Sequence, residues 1–285
     1  VTMAKKNKVH YDLIDVHYAK LEIQEDGTPV FSAPKKLPGS VSLETSAEGE
    51  QIVQRADGID YYIDTSNNGY TGTLSILDVP SDFKVDCLGE YVDEVTGMLV
   101  ENADASQSPF ALLFGFKGDA FNRRYVFYNC SASRPGISGE NKENQREPDL
   151  DEMEFKASPL YNGVVKCVAN EKTPVETYNA WYDQVILPGQ APTPNAELSS
   201  LSIGSLELSP KFSPGVITYT ANTKNASDII SVEPVRASTK IEITNGESPV
   251  HNGDSATWKS GANTLTVKTT NSTQSKTYTV TITKS

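Results

Sequence analysis

Histidines, cysteines and clustered carboxylates are the side chains of this sequence that could carry chemistry. Histidine occurs only at His10, His17 and His251. His10 and His17 lie seven residues apart on one predicted strand. A regular strand points them to opposite faces, so they cannot easily share a metal ion. We interpret both as surface or partner-facing histidines.

The three cysteines, Cys87, Cys130 and Cys167, lie in apolar or strand-like segments. Their number is odd, and their spacing supports neither a disulfide framework nor a metal site. Free buried thiols are typical of proteins in a reducing compartment. We therefore predict three free cysteines that bind no metal.

Carboxylates are abundant, for example in residues 149–154. A glycosidase needs two carboxylates at a fixed separation in a cleft, and closeness in sequence does not supply that geometry. The sequence also has no P-loop, GxSxG, HExxH or EF-hand pattern. We predict that the chain is not an enzyme and that it uses no cofactor and no metal ion.

The composition is that of a folded protein, with 37% hydrophobic and 22% charged residues among 285. The longest apolar run, residues 110–116, is far too short to span a bilayer. No apolar stretch follows Lys5, Lys6 and Lys8, so a Sec-type signal is not visible. We expect no membrane association.

The formal net charge of −12 is distributed unevenly. From Glu197 to the end, 7 acidic and 8 basic residues give +1, whereas the residues before Glu197 carry −13. An acidic surface repels phosphate. Specific DNA binding by the first two thirds of the chain is therefore not expected.

A proline-rich segment at residues 187–195 separates two regions of different composition. Proline fixes φ and favours extended geometry, so this segment is predicted to be a semi-rigid linker. We predict a first domain at residues 1–188, a linker at 189–195 and a second domain at 196–285.

Most of the first domain has the pattern of β-strands, including residues 9–18 and 71–77. Residues 110–117 are apolar on both faces, as expected of a strand covered on two sides, and 124–130 form their predicted hairpin partner. Residues 152–157 and 163–169 are a second candidate pair. Two polar segments, residues 46–60 and 133–150, are predicted to be long loops. Such loops either become ordered on assembly or are solvated, tolerated insertions.

Two short helices are expected in the first domain. Ser81 is predicted to cap a helix at residues 82–88, with Gly89 at its C′ position. The second helix is predicted to end near residue 183 and to begin with a cap, an N1 proline and a capping-box acid. These three residues are Thr173, Pro174 and Glu176. The residues expected to pack the helices are Phe83, Leu88, Trp181 and Tyr182.

The second domain is predicted to be an antiparallel β-sandwich of about 90 residues. Asn245-Gly246 and Asn252-Gly253 are dipeptides that favour hairpin turns. Leu265, Val267 and the segment 278–282 alternate apolar residues with Thr and Lys.

The first domain resembles the major tail protein family of long-tailed phages and prophages of Gram-positive bacteria. The resemblance covers nearly all of residues 3–188, and its motifs are weak singly but specific in their order. They are residues 16–19 (VHYA), 26–29 (DGTP), 37–41 (LPGSV), 61–62 (YY), 67–72 (NNGYTG), 80–83 (PSDF), 88–90 (LGE), 97–102 (GMLVEN), 109–114 (PFALLF), 128–130 (YNC), 133–135 (SRP) and 178–182 (YNAWY).

The second domain resembles the cadherin-like or Ig-like β-sandwiches of bacterial surface proteins. Its matching segments are residues 198–203 (LSSLSI), 208–214 (LSPKFSP), Tyr219, 261–267 (GANTLTV) and 278–282 (YTVTI). Such domains are often appended to phage tail and capsid subunits, where they decorate the outside.

The resemblance implies a virion protein, assembled in the host cytoplasm, whose first domain is a tail-tube β-sandwich or barrel with one or two short flanking helices. Hexameric rings would stack into a tube, with sheets of neighbours joined and edge strands paired by assembly. Expected partners are other copies, the tape-measure protein, and the tail terminator and distal tail proteins. DNA would pass an acidic lumen without specific binding, and the C-terminal sandwich would bind cell-surface carbohydrate or act as a passive spacer.

Charged residues of the two predicted loops and of an N-terminal arm, residues 3–8, are the expected ring-to-ring contacts. They are Glu48, Glu50, Arg55, Asp57, Arg146, Glu147, Lys5 and Lys6. Three other functions stay open: a bacterial surface adhesin made of two β-domains, a secretion-system tube subunit, and a carbohydrate-active enzyme with a binding module. The absence of a visible signal sequence and the free cysteines disfavour the adhesin.

Overall fold

The apolar and alternating segments form β-strands in a computed structural model that describes residues 11–136 and 149–285. The chain divides into two compact units, residues 1–190 and 191–285, so the division falls within the proline-rich segment. The predicted fold class, mainly β with short helices and a C-terminal β-sandwich, is confirmed.

The described part of the first unit is built almost entirely from strands, with two short helices between them. The strands are β1 Leu13–Ile23, β2 Pro29–Phe31, β3 Lys35–Lys36, β4 Ser40–Glu48, β5 Gln51–Ala56, β6 Ile59–Thr65, β7 Gly69–Ile76, β8 Tyr91–Val92, β9 Leu99–Val100, β10 Phe110–Phe116, β11 Arg124–Ala132, β12 Asp151–Ala157 and β13 Lys166–Ala169. The helices are α1 Ser81–Phe83, which continues as the π-helical turn Lys84–Leu88, and α2 Val175–Asn179, which continues as the 3₁₀ turn Ala180–Tyr182.

One large sheet organises this unit, in the order β2-β1-β10-β11-β12-β7-β4, with β3 also paired to β1 and β13 to β11. The predicted hairpin of β10 and β11 is confirmed, from Gly115↔Arg124 to Phe110↔Cys130. All residues of β10 except Phe116 are buried, because both faces of the sheet are covered.

The two faces of the sheet carry separate cores. On one face, Leu112 packs in a cluster with Phe83 and Leu88 of the first helical segment. On the other face, Leu113 packs in a cluster with Trp181 of the second. Alternate residues of one strand therefore serve two cores, as the period of a strand requires.

The first helix begins one residue earlier than predicted. Pro80, with ψ of 141°, occupies the N-cap position and Ser81 is already helical, so no side chain caps this helix. The predicted C-terminal Gly89 has φ of +80° and ends the helix in the left-handed conformation that favours glycine.

The second helix also lacks the predicted cap. Pro174 is the N-cap residue rather than N1, and no side chain caps the helix. The Thr173 hydroxyl instead accepts a hydrogen bond from the Asn170 backbone N–H at 2.9 Å, which closes the turn before the helix. The capping box expected for Glu176 is therefore wrong.

The predicted pairing of residues 152–157 with 163–169 is wrong. β12 pairs with the end of β11 through Cys130↔Ala157 and with β7 on its other side. β13 pairs with the beginning of β11, at Arg124↔Ala169. The nine residues of β11 are long enough to hold both strands on one edge, one after the other.

The predicted loop at residues 46–60 is wrong as well. Its residues continue β4 and then form β5 and the beginning of β6. The two strands β5 and β6 form a hairpin that we call the hairpin arm, Gln51–Thr65. The arm forms a two-stranded sheet of its own beyond the end of the β4–β7 pair. Of the other predicted loop, residues 137–148 lie outside the described part of the chain.

The second unit is a sandwich of a three-stranded and a five-stranded sheet, in the orders β14-β16-β19 and β15-β21-β20-β17-β18. Its strands are β14 Leu198–Ile203, β15 Thr218–Thr223, β16 Ser227–Pro234, β17 Lys240–Asn245, β18 Ser248–Val250, β19 Ser255–Thr257, β20 Gly261–Asn271 and β21 Gln274–Lys284. The alternating residues Leu265, Val267, Tyr278, Val280 and Ile282 are all buried in its core.

Two predicted details of this sandwich are corrected. The turn at Asn245 and Gly246 joins the paired strands β17 and β18, as expected. Asn252 and Gly253 do not form a hairpin, because the chain passes there from β18 in one sheet to β19 in the other. The sandwich is also not wholly antiparallel, since β15 and β21 pair in parallel from Thr218↔Thr279 onward.

Candidate assembly surface

Every residue of the hairpin arm is exposed. Its strands pair from Gln51↔Thr65 to Ala56↔Ile59. The turn residues Asp57 and Gly58 have φ of +54° and +79°. Positive φ at both positions is the requirement of a type I′ turn, which fits the twist of a two-residue hairpin.

The arm exposes large apolar side chains that no other strand of the described ranges covers. Six of them are 44–73% exposed: Ile52, Val53, Ile59, Tyr61, Tyr62 and Ile63. An isolated two-stranded hairpin is only marginally stable in water. Contiguous exposed apolar surface usually marks an interaction site. The arm therefore has the character of a segment that becomes buried in a contact.

The sequence of this arm contains a signal for a hairpin, but its many charged and polar residues favoured the prediction of a loop. Asp57-Gly58 between apolar stretches is a strong hairpin signal. The predicted contact residues Glu50, Arg55 and Asp57 all lie in or beside the arm and are exposed. Arg55 forms an ion pair across the hairpin with Asp60, Nε to Oδ1 at 2.5 Å.

One further predicted contact residue, Glu48, is described and lies before the arm. Glu48 ends β4, and its carboxylate is 2.7 Å from the Lys156 ammonium. The other four, Lys5, Lys6, Arg146 and Glu147, lie outside the described residues.

The strand β4 is an open edge of the large sheet. Among the described residues it pairs only with β7, from Ser40↔Ile76 to Glu48↔Gly69. Most of its side chains are exposed, including Val41 at 50%. An unpaired edge of this length offers backbone N–H and C=O groups to another strand. The strand is therefore a second candidate contact.

A polar face extends across β4, β7 and β12. On β12, Met153 and Phe155 point into the core, whereas Glu152 and Glu154 are exposed on the opposite face. Cross-strand register places Glu154 beside Thr73, which lies in turn beside Glu44. This face bears carboxylates, hydroxyls and one ammonium group, that of Lys156, which is paired with Glu48.

The predicted helix-packing residues are placed in the two cores. Phe83 and Leu88 are 0% and 1% exposed, and Trp181 is 5% exposed. Tyr182 is half-buried, and its ring stacks on the His17 ring with centroids 4.7 Å apart.

A stack of planar groups that sequence reasoning missed holds the second helical segment on the sheet. The Arg124 guanidinium lies 4.8 Å from the Tyr182 ring centroid and 3.9 Å from that of Tyr178. Its Nη1 also donates to the Tyr178 carbonyl at 2.5 Å. Together with His17, these side chains form a layered stack of alternating rings and cation. No local sequence pattern indicates it, because the members come from three distant segments.

His17 is buried rather than surface-facing, which corrects the prediction. It is 6% exposed, and its Nδ1–H donates to the Asp15 carbonyl at 2.7 Å. Burial lowers the pKa of His17 below its usual value. The hydrogen bond and the charge of Asp15 oppose this shift, and the nearby Lys36 adds to it. His10 lies outside the described residues.

The buried His17 predicts a loss of stability on mild acidification. Because the folded-state pKa is lowered, the stability contribution is complete above the ordinary value of 6.5 and decreases as the pH falls below it. The melting temperature of the unaltered chain should fall more than that of His17→Gln between about pH 7 and about pH 5.5. Equal decreases in thermal melts of the two proteins would contradict this expectation.

Three other features of the described part of the chain concern metal ligands, reactive cysteines and membrane-spanning helices. No group of three or more His, Cys, Asp or Glu side chains there is arranged to hold a metal ion. Cys87 and Cys130 are free and buried, and Cys167 is free and half-buried. No helix of the described ranges has the length and hydropathy needed to cross a membrane.

The aromatic side chains of the second unit are used in its core. Tyr219, Tyr278 and Trp258 are at most 2% exposed, and Phe212 packs against them with its ring 5.9 Å from that of Tyr219. The Trp258 indole N–H donates to the buried Asp228 carboxylate at 2.8 Å. No aromatic ring of this unit is therefore available as an exposed platform.

The comparison with protein families identifies the second unit alone. Residues 198–285 match the family of cadherin-like β-sandwich domains, which confirms the expected sandwich at the C-terminus. The match covers less than half of the chain. No curated protein matches the sequence.

Proposed function

We propose that this chain is a structural subunit that self-associates into stacked, hexameric rings, the major tail tube subunit of a long-tailed phage. The observation that carries the proposal is the hairpin arm, whose apolar side chains are exposed in the single chain. Burial of one large apolar side chain contributes about 1.5–3 kcal/mol. The six side chains are 44–73% exposed and lie on both faces of the arm, so a contact with another copy can gain a part of this free energy for each one that it covers.

The open strand β4 supports the joining of neighbouring subunits within a ring. The opposite border of the sheet is formed by the short strands β2 and β3, which both pair with β1. Pairing of β4 with a strand of the next copy would satisfy its free backbone groups and remove an edge that invites aggregation. A contact between two different edges repeats around a ring when the rotation closes.

The polar face of β4, β7 and β12 is our candidate for the lumen wall. Glu44, Glu152 and Glu154 are exposed there among serine and threonine hydroxyls. Fixed negative charge repels DNA phosphates, so a genome could pass without specific binding. The tape-measure, tail terminator and distal tail proteins remain the proposed partners, and the virion remains the proposed location.

For the second unit, we propose a decoration domain that acts as a passive spacer. Ligand sites are commonly lined by aromatic and apolar side chains with a few polar groups. The aromatic residues of this sandwich lie in its core, as described above. This disfavours a glycan site that stacks sugar rings on exposed aromatics.

A second candidate function is a binding or adhesin module made of two β-units. The cadherin-like match of residues 198–285 favours it. It does not account for the exposed apolar arm of the first unit, which self-association would cover.

Negative-stain electron microscopy over a concentration series tests the proposal. We expect rings or tubes at high protein concentration, with an inner wall that bears Glu44, Glu152 and Glu154 when the particles are reconstructed. Monodisperse monomers at every concentration would favour the adhesin. A tube with a neutral or basic inner wall would contradict the assignment of the lumen face alone.

A further inference from the structure

We propose that the tip of the β8–β9 hairpin of one copy inserts into a basic, tyrosine-walled cavity at the opposite end of the sheet in the next copy. This contact is distinct from the hairpin arm. It rests on the proposed function, because it assumes that copies of the chain stack end to end.

The tip is a preformed turn that exposes one apolar and one acidic side chain. Val95 is 92% exposed, and Glu94 beside it is also exposed. The Asp93 carboxylate holds the turn, because its Oδ1 accepts hydrogen bonds from the Thr96 N–H at 2.7 Å and the Thr96 hydroxyl at 2.6 Å. Met98 adds a further apolar side chain that is 60% exposed.

The receiving cavity has a volume of 280 Å³ and lies where β1, β10 and β11 meet the second helical segment. Ile14 and Phe116 supply apolar wall, and Tyr178 supplies an aromatic one. Arg124 lines it with a guanidinium fixed between the Tyr178 and Tyr182 rings. A pocket with mixed polar and apolar walls and a positioned cation suits an aliphatic side chain that has a carboxylate beside it.

The strand registers and one backbone hydrogen bond place the base of the β8–β9 hairpin and the cavity at opposite ends of β10. The cavity adjoins the pairs Leu13↔Phe116 and Gly115↔Arg124, at the end of β10. The β8–β9 segment precedes β10, whose beginning is held by the hydrogen bond from Ser108 N–H to the Cys87 carbonyl at 2.9 Å. The seven residues of β10 span about 20 Å, so the base of the β8–β9 hairpin and the cavity lie at opposite ends of that strand. This placement suits a contact between successive copies that are stacked end to end.

Charge complementarity favours this pairing. Three of the four charged side chains that line the cavity are basic, and the acidic one is Asp15. Arg123 is neutralised by Asp119, Nε to Oδ2 at 2.7 Å, which leaves Lys117 and Arg124 against the single carboxylate of Asp15. The lining therefore keeps an excess of positive charge, whereas the first domain as a whole has a net charge of −13.

On the tip side, the charged residues just before and within the turn are Glu90, Asp93 and Glu94. Residues 89–100 contain no basic residue. The contact is heterologous, since it joins two different surfaces of identical copies. Contacts of this kind extend into filaments when they do not close.

Charge reversal in the full-length chain tests the contact. Glu94→Lys and Lys117→Glu should each raise the concentration at which half of the protein is polymeric by about tenfold, measured by sedimentation velocity. An equimolar mixture of the two variants should return toward the wild-type concentration. In the mixture, each tip meets a cavity of opposite charge on the other variant.

The control is Asp104→Lys, which makes the same charge change elsewhere in the segment before β10 and should leave assembly unchanged. Wild-type assembly in either single variant, or loss that mixing does not rescue, would overturn the contact while leaving the proposed function in place. A wild-type chain that never polymerises would instead overturn the proposed function and this inference with it.

Discussion

Replacement of the hairpin arm, Gln51–Thr65, by a two-residue Asn-Gly turn should give a folded subunit that no longer assembles. The fold should persist because the arm places no residue in either core. Glu50 and Ser66 already face each other through the hydrogen bond from Ser66 N–H to the Glu50 carbonyl at 2.9 Å, so a tight turn can close there. Assembly should be lost because the six exposed apolar side chains are removed together. Circular dichroism melting and sedimentation velocity measure the two effects.

Substitutions within an intact arm provide the matched comparison. Val53 and Ile63 lie directly opposite each other and are 44% and 55% exposed. Changing both to Ser should weaken assembly strongly, by about 3 kcal/mol or more in the contact. Changing the polar pair Gln51 and Thr65 to Ser should have little effect. Tubes formed by the chain without its arm would remove the arm from the contact and, with it, the main support for the proposed function.

The hairpin of β10 and β11 could be predicted because the residue pattern of β10 itself shows that both of its faces are buried. A strand that is buried on both faces must lack polar side chains along its whole length, and residues 110–116 have none. In the second unit, apolar residues alternate with polar ones around Leu265 and Val267 on β20 and around Tyr278 on β21. This alternation indicates strands with one buried face. In both cases the burial pattern is local to the strand.

The hairpin arm shows the opposite situation. A strand that packs on no core has no buried face to impose alternation, so the arm reads as a polar loop with scattered apolar residues. Its turn, Asp57-Gly58, was the one local signal of structure. The assignment of a contact to this segment therefore stays a prediction, while its predicted structure as a loop was wrong.

Pairings between distant segments were beyond the local sequence. β12 and β13 both have strand patterns, but the length of β11 decides that they share its edge instead of pairing with each other. The burial of His17 depends likewise on Tyr182, which reaches it only through the second helical segment. Period and propensity describe one strand at a time and contain no information on such partners.

The helix that carries Phe83 should be the most sensitive point of the first core. Phe83 is 0% exposed and makes edge-to-face contacts with Tyr18 and Phe110, at centroid distances of 4.9 and 5.1 Å. Phe83→Ala removes both ring contacts and leaves a cavity that a short helix on a rigid sheet cannot fill by moving. The expected loss is about 3–5 kcal/mol in the free energy of unfolding. Urea denaturation of the full-length chain measures it.

Val85→Ala on the same helical segment is the matched control, because Val85 is 38% exposed. It removes apolar volume from a partly solvated position and gains helix propensity, so its effect should be below about 1 kcal/mol. Similar losses for the two variants would mean that the helix is held by general hydrophobic contact and not by the ring cluster.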